Sequence, residues 1–164
     1  MKIFLGLLLS LTFAAVGAAD EKTANAPASA AWLTGADIAF QRSAELRRPV
    51  LINFTGSDWC VWCHRVRDEI FVQKHFLDYA ANNLVLLEVD FPRGKKLPAE
   101  LEKQNDALKE KYAVTGYPTL LLLDANGKEL GRLGYMQGGA KTFVRELKHL
   151  ISTHSAPAPA KSTQ

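Results

Sequence analysis

The chain has 164 residues, of which 48% are hydrophobic and 23% charged, so one globular domain with a substantial core is expected. Its 20 basic and 17 acidic residues are well mixed and leave a formal net charge of only +3. Nothing in that balance calls for a nucleic-acid partner.

In chain order, Met1-Lys2 is a short positive start, and Ile3 to Val16 is apolar apart from Gly6, Ser10 and Thr12. Gly17-Ala18-Ala19 then precede Asp20, the pattern of a signal peptide (residues 1–19) cleaved near Ala19. The run falls short of the ~20 residues of a membrane span, which makes an uncleaved anchor the weaker reading. No cysteine follows it to carry a lipid. The protein is therefore expected to be exported, either periplasmic or secreted. Residues 20–30, DEKTANAPASA, read as a flexible leader, and residues 155–164, SAPAPAKSTQ, as a disordered tail. The domain is expected between them, over 31–154.

Within it, Thr34 to Leu46 has the pattern of a helix, with Thr34 or Asp37 as cap and Pro49 closing it. Pro49 to Phe54, PVLINF, is a β-rich run suited to a buried strand. After a polar turn at 55–58, a helix is expected from Cys60 through Phe71, extended after a kink by Phe76, Leu77, Tyr79 and Ala80. Leu84 to Val89 is a second buried strand, and Pro98 opens a helix to about Tyr112 with Leu101, Leu108 and Tyr112 on one side. Thr119 to Leu123 and Glu129 to Leu133 make a hairpin around Asp124-Ala125-Asn126-Gly127. A last helix runs from Ala140 to about Thr153 with Phe143, Leu147, Leu150 and Ile151 inward. The order α-β-α-β-α-β-β-α implies an α/β fold, a central mixed sheet flanked by helices on both faces.

Both cysteines lie in one stretch, DWCVWCH at 58–64. Exported proteins usually pair cysteines as structural staples, but a loop closed over two residues restrains the unfolded chain little. Chemistry is the better reason for the pair. C-x-x-C signals a thiol–disulfide centre, and C-x-x-C-H also signals covalent haem attachment. At a strand-to-helix junction, unpaired N–H groups and the helix dipole stabilise a thiolate. Cys60 would then be the nucleophile and Cys63 the resolving thiol. The haem reading would use His64 and Met136 or another histidine as axial ligands, and it has to displace a compact sheet domain. Zinc is weaker still, because no second cysteine pair exists. No metal or organic cofactor is expected. A third possibility is a binding module that keeps the fold without turnover. His64 shares a helix face with Cys60, so its protonated ring could lower the cysteine's pKa; a half-exposed surface histidine is the plainer account.

FTGSDWCVWCHRV at 54–66, followed by VTGYPTLLLLDANGKELGRLGY at 114–135, resembles the thioredoxin superfamily. More narrowly, it is similar to exported bacterial thioredoxin-like proteins with a G-S-D-W-C-x-W-C core. The resemblance covers about residues 32–153. It implies a thioredoxin-like fold and an enzyme exchanging disulfides with protein partners that carry disulfides or thiols. A monomer is expected, recharged by an upstream membrane or soluble thiol partner.

The resemblance also implies a cis Tyr117–Pro118 bond, a Tyr117 backbone that pairs with an extended substrate, and Trp59 flanking that groove. Read from the residues alone, Trp59 and Trp62 would form an apolar rim around the sulfurs, although core packing explains one of them as easily. Two positions depart from the family. Asn53 stands where many thioredoxins carry a buried Asp that accepts the resolving cysteine's proton, and Glu88 on the neighbouring strand is the candidate substitute, unless it is an exposed edge residue. Val61-Trp62 between the cysteines lacks the histidine of strong oxidants, which favours a reductase or isomerase. The basic segment FPRGKKLP, 91–98, could attract an acidic partner, although a solvated loop explains it more simply.

Overall fold

A computed structural model describes residues 31–155; the segments read as signal peptide and leader, and the tail beyond Ser155, lie outside the described residues. The elements in chain order are β1 (Trp32–Leu33), α1 (Ala36–Leu46), β2 (Val50–Thr55), α2 (Val61–Val66), a π-helical turn (Arg67–Phe71) and α3 (Lys74–Asn83). They continue with β3 (Val85–Asp90), α4 (Ala99–Lys111), β4 (Thr119–Leu123), β5 (Glu129–Leu133) and α5 (Gly139–Ser155). The strands form one sheet in the order β1-β3-β2-β4-β5. β1 and β2 run parallel to β3, whereas β4 is antiparallel to β2 and to β5, so the sheet is mixed as expected.

All six positions of β2 are buried, and β3 is buried except at Glu88. Strands that read as unbroken apolar runs are those covered on both faces. Alternation along each strand divides the side chains between two layers. Ile52, Phe54, Val85, Leu87 and Val89 pack with Ala39 of α1 and with Leu108 and Tyr112. Leu51, Leu86, Leu120 and Leu122 pack with Val66, Phe76, Phe143 and Leu147 from α2, α3 and α5. The same parity places Asn53, Thr55, Glu88 and Asp90 on the α2–α3 side, with Asn53 paired to Glu88 and Thr55 to Asp90. A polar stripe thus runs through an apolar sheet toward the cysteines.

Three local differences from the sequence reading have simple causes. β1 is only two residues long, too short to show a period, and is held by pairing to Leu86 and Leu87. The helix expected from Cys60 through Phe71 ends in a π-helical turn, where the Val72 N–H reaches the Arg67 carbonyl at 3.0 Å, and the expected kink falls at 72–73, before α3. That wider turn accompanies burial of the consecutive Ile70 and Phe71. Neither Thr34 nor Asp37 caps α1: Gly35 holds the N-cap, and the Ala36 N–H donates to Gln104 Oε1 at 2.8 Å, so the cap comes from α4.

Candidate active site

The site begins where β2 ends. The Ser57 N–H and hydroxyl donate to the two carboxylate oxygens of Asp90, at 2.8 and 2.6 Å. Asp90 is buried at the end of β3; Lys95 Nζ lies 3.2 Å from its carboxylate, and its carbonyl accepts from Asn105 Nδ2 at 2.9 Å. Ends of two neighbouring strands are thereby locked to the turn that carries the cysteines.

Gly56 follows from close approach: a Cβ there would lie 2.4 Å from Trp59 Cε2. Trp59 is held against that bare backbone by its Nε1–H, which donates to the Phe91 carbonyl at 2.8 Å. Asp58 accepts from the backbone N–H groups of Arg93 (3.0 Å) and Gly94 (2.6 Å), and these bonds hold its carboxyl below the ordinary range.

Cys60 is the N-cap of α2. Its Sγ accepts the Cys63 N–H at 3.2 Å, and its carbonyl accepts the His64 N–H at 3.1 Å. The two sulfurs are bonded to each other across a Cα separation of 5.2 Å, and each cysteine is only 6% exposed. On reduction, an N–H aimed at Cys60 Sγ favours the charged form of that sulfur over the neutral one. Selective stabilisation of one thiolate is what a nucleophile requires.

Two aromatic groups border the disulfide. On one, Trp59 meets Tyr117 edge-on at 5.8 Å, Tyr117 lies 5.2 Å from Phe91, and the Tyr117–Pro118 peptide bond is cis. Arg93 sits 3.8 Å over the Trp59 ring, and Lys109 lies 5.4 Å from the Phe91 ring and 5.8 Å from Tyr117. On the other, Trp62 is 51% exposed and packs 5.1 Å from Tyr135, with Arg65 over both rings. The Tyr135 hydroxyl donates to Glu69 Oε2 at 2.7 Å, while Arg65 Nε donates to Glu69 Oε1 at 2.8 Å. The bonds from Tyr135 and Arg65 lower the Glu69 pKa, and donation to Glu69 raises that of Tyr135.

A cavity of about 390 Å³ is lined by Cys63 together with Asn53, Thr55, Ser57, His64 and Glu88, and by the apolar Trp32 and Phe71. Glu88 is half-buried there; desolvation, reinforced by Asp90, pushes its pKa up, and Lys95 pulls the other way. Asn53 Oδ1 is buried without a hydrogen-bond partner. His64 lines the same cavity, where its Nε2 lies 2.9 Å from the Ser57 carbonyl. A carbonyl only accepts, so Nε2 carries the proton and Nδ1 is left as the other ring nitrogen. Cys60 and Cys63 are thus united as a pair, Trp59 meets Tyr117 edge-on, the neighbouring Tyr117–Pro118 bond is cis, and Glu88 and His64 line one cavity. Nothing in this arrangement favours the haem reading: the two sulfurs are bonded to each other and Nε2 of His64 is hydrogen-bonded to Ser57. Sequence reasoning did not reach Asp90, Asn105 or the Glu69–Tyr135 bond.

A bonded Cys-x-x-Cys pair at a strand-to-helix turn, in a chain whose Tyr117–Pro118 bond is cis, defines a thiol–disulfide oxidoreductase. The chain belongs to the thioredoxin-like domain family, which it matches over residues 36–151. It is 39% identical over 126 residues to the disulfide bond reductase DsbH of Chlamydia pneumoniae, covering 77% of this chain and 75% of that one. The solved structure of a DsbH oxidoreductase superimposes with a TM-score of 0.72 at 34% identity, covering 83% of this chain and 95% of that one. The thioredoxin-related protein DsbJ of C. pneumoniae is 30% identical over 134 residues; the match spans 82% of this chain and 38% of DsbJ. Fold, site and relatives agree, and the chain is a thiol–disulfide oxidoreductase.

Proposed function

We propose that the protein is an exported disulfide reductase of the G-S-D-W-C-x-W-C type, acting as a monomer on protein partners. The observation that carries this reading is the Cys60–Cys63 disulfide, whose Cys60 sulfur accepts a backbone N–H while Cys63 lines a cavity shared with Glu88. The relative named a reductase supports the direction, as does the absence of histidine between the cysteines. The N-terminal pattern ending near Ala19 supports export, with 31–154 as the working domain.

In this mechanism the Cys60 thiolate attacks one sulfur of a partner's disulfide, forming a mixed disulfide and releasing the partner's other sulfur as a thiolate. Trp59 and Pro118 shape the groove, and the Tyr117 backbone hydrogen-bonds the extended partner. Glu88 takes the proton of Cys63. A carboxylate of raised pKa is a better match to a thiol than an ordinary one, which favours transfer. The Cys63 thiolate then attacks Cys60 Sγ, which leaves the partner with two thiols and the enzyme with the bond seen here. Two electrons pass to the partner, whose two released thiolates take one proton from Cys63 by way of Glu88 and one from solvent, and an upstream membrane or soluble thiol donor restores the dithiol. His64 is the second candidate for proton handling. Because Nε2 is bound to Ser57, that role falls to Nδ1.

The direct test is reduction of insulin disulfides with a thiol donor, followed by turbidity, together with the reduction potential of the pair. A value near the roughly −270 mV of thioredoxin supports a reductase; one near the about −120 mV of a strong oxidant overturns it.

A further inference from the structure

We propose that the Trp59–Tyr117–Phe91 rim selects partner segments carrying Asp or Glu beside the cysteine under attack, and that Arg93 and Lys109 read those charges. The inference rests on the substrate groove assigned above and adds the chemistry of what enters it.

The two aromatic borders of the disulfide differ in how their cations are matched. Beside Trp62, the charge of Arg65 is met by Glu69 at 2.8 Å. Beside Trp59, Arg93 lies 3.8 Å over the indole and Lys109 lies over Phe91 and Tyr117. No ion pair among the described residues engages either one. The nearby acids are directed elsewhere. Asp58 accepts from the Arg93 and Gly94 amides, and Asp90 from Ser57 while facing Lys95. Glu102 and Asp106 line a cavity that Phe91, Arg93, Lys95 and Lys96 also line, and neither acid forms an ion pair with Arg93 or Lys109 among the described residues.

A guanidinium over an indole is held by cation–π attraction and still has N–H groups to offer a carboxylate. That is a preorganised acceptor for acidic side chains. An extended chain pairing beside Tyr117 advances about 3.3 Å per residue, so side chains within two or three positions of the attacked cysteine pass along this wall. Like charges with no ion-pair partner, Arg93 exposed and Lys109 half-buried, also repel basic segments, which supplies discrimination as well as attraction. The basic run 91–98 thereby gains a role that its sequence alone leaves open.

The test uses two peptides with the same disulfide and length, one flanked by Glu-Glu and the other by Lys-Lys. Their reduction rates by the full chain are compared as a ratio of kcat/KM at low and high salt. The wild type is expected to favour the acidic peptide by about tenfold at low salt and about twofold at high salt. Lys109→Glu should bring the ratio toward one, and Arg93→Glu combined with it should invert the preference. A ratio of two rates on one enzyme cancels any general loss of fold or chemistry. Equal rates on both peptides, or a ratio unmoved by Lys109→Glu, overturn this inference while leaving the reductase reading intact. If neither peptide is reduced, the reductase reading itself falls.

Discussion

The rim around Trp59 and the cavity lined by Cys63 adjoin one disulfide, yet they are built of different materials. The rim consists of rings and cations: Trp59, Phe91 and Tyr117 in contact, with Arg93 and Lys109 over their faces. The cavity instead sets an acid, an amide and an imidazole beside Cys63. Rings and cations suit recognition of an arriving chain, because they bind without needing a fixed protonation state. A sheltered carboxyl of raised pKa suits proton transfer and would serve poorly as a docking surface. Neighbouring sulfurs can therefore differ in role because their surroundings do.

That division is broken most severely at the sulfurs. Cys60→Ser should lower insulin reduction by about a thousandfold or more, since the thiol that remains, Cys63, has no second thiol to complete turnover. Cys63→Ser should stop turnover by a similar factor while the first attack persists, so the mixed disulfide accumulates and is visible by mass spectrometry. Equal trapping by both variants would erase the assigned roles.

Glu88→Gln sharpens the comparison on the cavity side. We expect release of the mixed disulfide to slow by about ten- to a hundredfold near neutral pH, with formation unaffected in stopped-flow traces. The same variant has a signature in stability. The pKa of Glu88 is raised above its ordinary 4.5, so the folded chain keeps a proton that the unfolded chain has already released. Stability linked to this group is present below 4.5 and falls as pH rises through the raised value. Glu88→Gln should accordingly melt at a higher temperature than wild type under mildly alkaline conditions and match it in acid. A variant that melts lower at both ends would show that Glu88 is tied to the fold rather than strained by burial.

Gly56→Ala addresses the rim. A Cβ placed 2.4 Å from the indole must push Trp59 away from the Phe91 carbonyl. We expect about 2 kcal/mol of destabilisation in urea melts, from overpacking. A raised KM with little change in kcat should accompany it, because the displaced ring serves binding. Unchanged stability would mean that Trp59 moves freely and is not the fixed wall described here.

The fold was largely legible because PVLINF, LVLLEV and TLLLL are short apolar runs bounded by turn residues, and such runs become covered strands. The cysteines were legible from their spacing, and Tyr117-Pro118 only through resemblance to a family. What remained hidden depends on contacts over long sequence separations. Asp90 reads as an ordinary strand-end residue, and only folding brings its carboxylate 33 positions back to Ser57. Glu69 and Tyr135 stand 66 residues apart and meet through one hydrogen bond, which no local period announces. The acidic character of Glu88 was readable, but its partial burial depends on pairing with Asn53 and on the helices above. The kink after Phe71 was anticipated, but the π-helical form of Arg67–Phe71 escaped because the apolar spacing up to Phe71 fits an ordinary α-helix.

The smallest expected effect separates two accounts of His64. Four positions after Cys60, its ring could support the thiolate through space; in the fold its Nε2–H holds the Ser57 carbonyl, in the turn that also bonds to Asp90. His64→Ala removes that tether, and the loss of one part-buried hydrogen bond should cost about 1 kcal/mol. If the tether is the main role, the pKa of the Cys60 thiol, followed by thiolate absorbance, should move by less than about half a unit, the equivalent of roughly 0.7 kcal/mol. His64→Asn, which retains a side-chain N–H donor, should then recover part of the stability. A rise of more than about one unit in the thiol pKa, without restoration by Asn, would instead place the ring's charge on the sulfur. In that event the cavity assists attack as well as resolution, and its separation from the rim is one of degree.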